Sequence, residues 1–215
     1  NFIENDTTAI IIPLDDKAVF NLFSTGDTNG IFQFESDGMK EFLKRLKPSN
    51  IEDLFAAIAL FRPGAAVGID SYIKRKENKE KIEYLDPSLE GILKETKGLI
   101  VYQEQIMQIA QIVANYTLGE ADILRRAMSK KKREILINEE EKFINNSIKN
   151  GYSKEKATEI YNLILNFANY GFNKSHSVVY SIIWYKMAYL KVKYPKYFYS
   201  NLLSGEIGSE YKTKD

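Results

Sequence analysis

Residues 102–128 read YQEQIMQIAQIVANYTLGEADILRRAM, and this stretch carries two helical patterns in succession. Apolar side chains recur from Ile106 to Val113 at spacings of three and four residues, which places them on one face of a helix. Thr117 and Glu120 then have the spacing of a capping box, in which each side chain bonds to the backbone N–H of the other residue. The pattern therefore predicts two consecutive helices that each bury one face.

Helical patterns of the same kind extend over most of the 215-residue chain. Capping residues divide them, among them Asp15, Ser49 and the Asp86–Pro87 pair. We expect helices over residues 15–23, 38–47, 49–60, 71–77, 86–96, 103–115, 117–128, 131–150, 153–167 and 175–194, with a short last one up to residue 203. Only residues 30–34 alternate as a strand does. The predicted fold class is all-α, a multi-helix domain with at most one short strand or hairpin near residues 30–34.

The composition narrows the classes of protein and of site. Lys and Arg number 30 against 29 Asp and Glu, so the net charge is +1 and any basic surface must be local. Cysteine is absent and His occurs once, which excludes disulfides, thiolate metal sites, cysteine nucleophiles and sites with two histidines. No signal segment opens the chain, and its richest apolar stretch, residues 178–185, has about half the length of a membrane span. We therefore expect a soluble, cytoplasmic protein without a membrane contact.

Motifs for self-contained catalysis are missing from the sequence. It has no D-x-D pair, no H-E-x-x-H helix, no G-x-x-x-x-G-K-[ST] phosphate loop and no G-x-G-x-x-G turn. Two-metal phosphoryl transfer needs clustered carboxylates, and the adjacent pair Asp15–Asp16 stands at a predicted helix start, where acidic residues favour the helix dipole. We expect no catalytic residue and no metal site in this chain.

The strongest charged feature is the run from Arg125 to Arg133, in which six of nine residues are basic. On a helix, Arg125 flanks the apolar stripe and Arg126 points away from it. Arg offers bidentate geometry and Lys adds point charge, so the run suits a polyphosphate. The alternative is a solvated face, in which Asp122 pairs with Arg126 and Glu134 with Arg133. Charge alone leaves both interpretations open.

A second feature, residues 169–177 with the sequence NYGFNKSHS, lies between two predicted helices. Gly171 permits an unusual backbone turn in this segment. The segment delivers Lys174 and His176 to a helix N-terminus, where free N–H groups and the helix dipole favour anions. The pattern is that of an anion site, but the signal by itself is weak.

Smaller features of the chain carry weaker expectations. Tyr170 or Phe172 could stack on a base, while the alternative for His176 is a buried place on the apolar stripe of the helix that follows. Lys44 and Arg45 lie along one short helix and could track a phosphate backbone. Four aromatic side chains near the C-terminus have helical spacing, which predicts packing: Tyr194, Tyr197, Phe198 and Tyr199.

Five segments of the chain, taken in order, resemble those of one protein family. They are residues 30–39 (GIFQFESDGM), 61–64 (FRPG), 101–110 (VYQEQIMQIA), 118–128 (LGEADILRRAM) and 170–176 (YGFNKSH). These segments are similar to those of the bacterial replicative DNA polymerase III alpha subunits, and the resemblance runs from about residue 12 to residue 203. It is closer to the DnaE-type subunit than to the longer Gram-positive polymerase with a built-in exonuclease. Ala65–Ala66 departs from the Pro-Met-like pair of the family, so Arg62 is given no ligand role.

The resemblance implies which part of the polymerase this chain is. In the family these segments belong to the fingers, a helical domain that follows the palm. Residues 1–14 would then be a connector from the palm, residues 15–205 the helical fingers domain and residues 206–215 a tail. The palm carries the aspartates that bind the Mg²⁺ ions of the parent enzyme. The resemblance therefore implies a fragment that has no catalytic residue, binds no Mg²⁺ itself and is inactive alone.

The resemblance also implies roles for the basic side chains. Arg125 and Arg126 would contact the incoming deoxynucleoside triphosphate (dNTP). Tyr170, Lys174 and His176 would line the same pocket, near the base and the phosphates.

Nucleic acid and protein partners follow in the same way. Candidate contacts to primer–template DNA are Lys44, Arg45, Lys130, Lys131 and Lys132. Other domains of the parent would meet the sliding clamp and further replisome subunits. Two other functions stay open: a helical nucleic-acid-binding module without a catalytic role, and a partner-docking helical domain whose basic runs face solvent.

Overall fold

The computed structural model describes residues 12–62, 68–129, 133–168 and 171–205. Over these ranges it contains eleven α-helices and no strand, which confirms the all-α prediction. The helices are α1 (Lys17–Thr25), α2 (Asp37–Leu46), α3 (Ile51–Leu60), α4 (Ile69–Lys76), α5 (Glu90–Leu93), α6 (Gln103–Ala114), α7 (Leu118–Ser129), α8 (Arg133–Lys149), α9 (Lys154–Ala168), α10 (Lys174–Lys193) and α11 (Pro195–Gly205). None of the helices in these ranges is both long enough and apolar enough to cross a membrane.

Local capping bonds set the helix starts close to the predicted positions, but the capping residue shifts by one at α1 and at α3 and by two at α10, where Asn173 caps the helix in place of Ser175. The cap of α1 is Asp16 rather than Asp15, and its Oδ1 accepts a bond from a backbone N–H of the first turn at 2.8 Å. The cap of α3 is Asn50 rather than Ser49, since Asn50 Oδ1 accepts from the backbone N of Asp53 at 2.9 Å. Asp15–Asp16 and Ser49–Asn50 are each pairs of adjacent residues that can cap a helix. The sequence pattern alone therefore does not show which member of a pair is the cap.

The chain divides into two compact units. The first comprises Asn1–Leu54 and Val179–Asp215, and the second comprises Phe55–Val178. In the first unit the core is aromatic: the ring of Phe34 lies 5.5 Å from that of Phe23 and 4.7 Å from that of Trp184, centroid to centroid. The buried hydroxyl of Tyr185 accepts a hydrogen bond from the backbone N of Asp16 at 2.8 Å, which fixes the start of α1.

The predicted strand at residues 30–34 is a turn instead. The backbone N of Phe34 donates to the carbonyl of Ile31 at 2.9 Å, and Gln33 has a φ of +66°, in the left-handed region. Ile31 and Phe34 are both buried although they are three residues apart, whereas Phe32 between them is 59% exposed. The strict alternation that a strand needs is therefore absent.

A buried lysine holds the segment that precedes this turn. The side chain of Lys191, on α10, is 3% exposed. Its Nζ donates to the backbone carbonyl and to Oδ1 of Asp27, each at 2.9 Å, and to the carbonyl of Asn29 at 3.0 Å. All three protons of the ammonium group thus have an acceptor.

Of the four aromatic side chains near the C-terminus, Phe198 is half-buried, with its ring centroid 5.5 Å from that of Tyr199, and the other three are not packed as predicted. The exposed fractions of Tyr194, Tyr197 and Tyr199 are 46%, 58% and 41%, and α11 buries no residue. Helical spacing gave the same signal that a buried stripe gives, so the packing prediction was wrong for these three side chains.

The core of the second unit lies among α6, α7, α8 and α9. Its members include the apolar residues predicted on α6 and α7 together with aliphatic and aromatic side chains of α8 and α9: Ile106, Ile109, Val113, Ala121, Leu124, Met128, Phe143, Ile160, Tyr161 and Ile164. The capping box that opens α7 is confirmed, since Thr117 N donates to Glu120 Oε2 at 2.8 Å and Glu120 N donates to Thr117 Oγ1 at 3.3 Å. The buried stripe of α7 fixes the direction in which its arginines point.

Candidate functional site

Two sequence features that lie far apart in the chain meet in the second unit. The backbone N of Phe172 donates to the carbonyl of Val101, and the backbone N of Gln103 donates to the carbonyl of Phe172, both at 2.9 Å. The result is a single parallel bridge between Tyr102 and Phe172. This bridge joins the start of α6 to the loop before α10. Lys174 is the first residue of α10.

Gly171 makes room for this junction. A Cβ atom added at Gly171 would lie 3.1 Å from Cγ of Gln103 and 3.5 Å from its Cα. The backbone of Gly171 is outside the left-handed region, so the unusual turn expected from the sequence is absent. Glycine is needed here because the α6 backbone approaches closely, and not because of a special φ.

Gln103 also connects this junction to Arg125. Nη1 of Arg125 donates to Oε1 of Gln103 at 3.0 Å. The other edge of the same guanidinium faces Asp122 Oδ1, with Nε at 2.8 Å and Nη2 at 2.7 Å. Gln103 therefore links the basic helix α7 to the loop before α10.

One carboxylate holds both arginines of α7. Oδ2 of Asp122 lies 2.7 Å from Nη2 of Arg126, while Oδ1 takes the bonds from Arg125. The hydrogen bond from Arg125 is the main cause that holds the pKa of Asp122 below its usual range. The Arg125 side chain is 26% exposed and that of Arg126 is 66% exposed, so the first is oriented by the fold and the second reaches into solvent.

The N-terminus of α10, predicted as an anion site, already has carboxylates of this chain around it. The backbone N of Lys174 donates to both carboxylate oxygens of Glu104, at 3.0 and 3.1 Å. Nζ of Lys174 lies 2.7 Å from Oε2 of Glu95. Asn173 Oδ1 accepts from the backbone N of His176 at 2.8 Å, as a helix cap does.

His176 is exposed, so its interpretation as a buried member of the apolar stripe is wrong. Its ring stands edge-on to the ring of Phe172, with 5.4 Å between the centroids. The guanidinium of Arg62 lies over the Phe172 ring, 4.4 Å from the centroid, and burial lowers the pKa of Arg62. The half-buried ring of Phe172 thus contacts both the guanidinium of Arg62 and the imidazole of His176.

The remaining candidates belong to the first unit or fall outside the described residues. Lys44 and Arg45 are exposed on α2 in the first unit, where Lys44 pairs with Glu41 at 2.6 Å. Four further candidates fall outside the described residues: Tyr170, Lys130, Lys131 and Lys132.

Sequence reasoning missed Gln103, Glu104 and Arg62 as parts of this cluster. Gln105 caps the start of α6, since its Oε1 accepts from the backbone N atoms of residues 101 and 102. Gln103 and Glu104 instead reach other helices. No local pattern signals a bond over 22 residues, as between Gln103 and Arg125, or over 70 residues, as between Glu104 and Lys174.

Mg²⁺ does not fit the residues that the structure describes. Among them no group of three or more His, Cys, Asp or Glu side chains comes together in a way that could hold a metal ion. The carboxylates near the basic cluster are instead bonded to Arg125, Arg126 and Lys174.

Comparison with known proteins gives the family. Residues 3–151 match the model of the bacterial DNA polymerase III alpha subunit finger domain. Over 202 residues the chain is 55% identical to DNA polymerase III subunit alpha of Staphylococcus aureus and 56% identical to that of Staphylococcus epidermidis. Each alignment covers 94% of this chain and 19% of the relative, so the chain spans about a fifth of the length of the curated relatives it matches. The chain belongs to the family of bacterial DNA polymerase III alpha subunit finger domains.

Proposed function

We propose that this chain is the portion of a replicative DNA polymerase that binds the incoming dNTP and positions it for template-directed synthesis. The observation that carries the proposal is the bonded chain of Phe172, Gln103 and Arg125, which joins the two segments assigned to the triphosphate. A bound nucleotide could thus meet α7 and the start of α10 together. The names of the relatives support a role as part of a DNA polymerase. The proposal places that role in DNA replication in the cytoplasm.

The chemistry assigned to the chain is positioning and electrostatic stabilisation. Arg125 and Arg126 would face the phosphates, where a guanidinium can bond two oxygens at once, and Lys174 would add a point charge. Each charge-assisted contact to a phosphate is worth about 1.5–3 kcal/mol. Cations fixed in this way favour the charge that builds on the triphosphate as it reacts.

The loop before α10 would serve the nucleoside side of the substrate. His176 is exposed beside Phe172. The guanidinium of Arg62 lies over the same Phe172 ring. We assign His176 and Tyr170 to the same pocket and Arg62 to the support of the loop. Primer–template DNA would meet the basic side chains named above: Lys44, Arg45, Lys130, Lys131 and Lys132.

Catalysis would need residues beyond this chain. The proposal places the Mg²⁺-binding aspartates in the palm of the parent enzyme, so the 215-residue chain alone should not extend a primer. The sliding clamp and other replisome subunits would meet other parts of the parent. Primer extension by a preparation of this chain that is free of contaminating polymerase would contradict this part of the proposal.

The test is a calorimetric titration of the chain with dNTP and Mg²⁺, with and without primed DNA. The variants are Arg125→Ala/Arg126→Ala and, as a control that removes two cations from α9, Lys154→Ala/Lys156→Ala. Loss of dNTP binding in the first variant alone supports the proposal, provided that circular dichroism shows both to be folded. Unchanged dNTP binding in the first variant overturns it. Strongly salt-dependent DNA binding without any nucleotide dependence would favour the helical nucleic-acid-binding module instead.

A further inference from the structure

Asp122 occupies the guanidinium edge that would bind a phosphate. Nε and Nη2 of Arg125 both point at Asp122 Oδ1, at 2.8 and 2.7 Å. Two neighbouring N–H groups of a guanidinium can bind a carboxylate or a phosphate through two parallel bonds. Nη1, at the other edge, bonds Oε1 of Gln103.

The same carboxylate also holds the second arginine. Asp122 Oδ2 lies 2.7 Å from Nη2 of Arg126, so the two oxygens of one carboxylate bridge two guanidiniums. Two phosphate oxygens of a triphosphate would make the same bridge. The Asp122 side chain is 28% exposed, so it can turn into solvent without being buried elsewhere.

We propose that Asp122 is an internal counter-anion, which fills the phosphate position between Arg125 and Arg126 until a triphosphate displaces it. The inference rests on the proposed function, because it concerns the same two arginines. Before binding, Asp122 keeps Arg125 in place beside Gln103. On binding, the phosphates replace its two oxygens, and the cost of breaking the pairs lowers the apparent affinity. Partly exposed ion pairs are individually weak, so this cost is modest.

The test uses inorganic tripolyphosphate, which carries the phosphates without base or sugar. Its dissociation constant is measured by calorimetry at fixed ionic strength for the wild-type chain, Asp122→Asn and Glu120→Gln. Glu120→Gln is the matched control: it removes one charge from the same helix, next to Lys142 rather than next to the arginines, and Gln still serves a capping box. We expect Asp122→Asn to bind about three- to tenfold more tightly, and Glu120→Gln to bind nearly as the wild type does.

A second readout follows the Nε–H resonance of Arg125 by NMR. Displacement predicts that tripolyphosphate shifts this resonance in the wild type and that the Asp122→Asn change shifts it before any anion is added. Equal affinity of the wild type and Asp122→Asn, or weaker binding by Asp122→Asn, would overturn the inference while the triphosphate role stands. Equal tightening by both variants would also overturn it, because it would show a general charge effect. Absence of binding to all three proteins would refute the triphosphate role and the inference together.

Discussion

Nη1 of Arg125 donates a hydrogen bond of 3.0 Å to Oε1 of Gln103, from the middle of α7 to the first residue of α6. The backbone N of Gln103 also donates to the carbonyl of Phe172 at 2.9 Å. One residue therefore sets two positions at once: that of the arginine and that of the loop before α10. A substitution at Gln103 should therefore change the coupling between the position of Arg125 and that of the loop before α10.

Gln103→Ala should weaken the binding of tripolyphosphate about three- to tenfold, because Arg125 loses the acceptor that fixes one of its edges. The free energy of unfolding should change little, since the Gln103 side chain is only half-buried. The matched control is Gln108→Ala on the exposed face of the same helix, which should bind as the wild type does. Calorimetry and urea unfolding give the two quantities. Wild-type affinity of Gln103→Ala would show that the bond to Arg125 does not position it.

Gly171→Ala should act on the same junction by crowding. The new Cβ would lie 3.1 Å from Cγ of Gln103, a distance at which Gln103 must shift by a few tenths of an ångström. We expect weaker tripolyphosphate binding and a lower urea midpoint. The control is Gly91→Ala on α5, where a Cβ meets nothing within 4 Å. That change should raise the free energy of unfolding by about 0.5–1 kcal/mol, since alanine suits a helix better than glycine. Equal effects of the two substitutions would contradict the close approach.

The elements with local signals were predictable from the sequence. The capping box of Thr117 and Glu120 lies within three residues, and its bonds form in the structure as predicted. The turn at residues 30–34 was mistaken for a strand because its apolar positions fit a short alternation equally well, and the bond from Phe34 to Ile31 that decides it is a property of the folded turn. A window of five residues does not distinguish the two.

The candidate site was predictable only in part, for a related reason. The charges of Arg125 and Lys174 are visible in the sequence, and the predicted helix start at residue 175 is one residue after the first residue of α10. Their partners are not visible, because Gln103 is 22 residues from Arg125 and Glu95 is 79 residues from Lys174. Acidic and amide side chains are common at helix starts, so no pattern marks the ones that reach another helix.

Tyr116→Phe should lower the free energy of unfolding by about 1–3 kcal/mol, the cost of leaving a buried polar group without its partner. The hydroxyl of Tyr116 donates to Oε2 of Glu139 at 3.1 Å, both residues are buried, and burial raises the pKa of Tyr116. The control is Tyr152→Phe, whose hydroxyl bonds Ser88 at a half-buried position and should matter less. Urea unfolding at neutral pH measures both. Equal stability of the two variants would show that the buried bond of Tyr116 contributes no more to the free energy of unfolding than the half-buried bond of Tyr152.

Glu120 should make the stability of the second unit depend on pH. The Glu120 carboxylate accepts hydrogen bonds from the backbone N–H of Thr117, which has the largest effect, and then from Lys142 and the Thr117 hydroxyl. These bonds hold the pKa of Glu120 at about 2, below its ordinary value of 4.5. A carboxyl whose folded pKa lies below its unfolded pKa stabilises the fold above the unfolded value. That stabilisation is lost as the pH falls from about 4.5 towards 2.

Glu120→Gln tests this pH dependence. Gln retains the capping geometry without titrating, so the variant should show a flatter fall of the urea midpoint between pH 4.5 and pH 2.5 than the wild type. Glu159→Gln, an exposed carboxylate of α9 outside any cap, serves as the control and should leave the slope unchanged. A steeper slope for Glu120→Gln, or the same slope as the wild type, would contradict the assignment.

Lys191→Met should destabilise the first unit and loosen the segment before residue 30. The buried ammonium group donates to Asp27 twice and to the carbonyl of Asn29, and methionine can fill the volume but cannot donate. Because the Asp27 side chain is 63% exposed, water can replace one of these bonds, so the expected loss is about 1.5–3 kcal/mol rather than the larger cost of breaking a fully buried ion pair. Lys186→Met on the exposed face of the same helix is the control and should change the free energy of unfolding by less than about 0.5 kcal/mol.

Amide hydrogen exchange adds a local readout of the Lys191→Met change. The backbone amides of residues 27–34 should exchange faster in Lys191→Met and at the wild-type rate in Lys186→Met. Faster exchange spread evenly over the first unit would instead indicate a general loss of packing, and unchanged exchange would mean that the three bonds do not hold this segment.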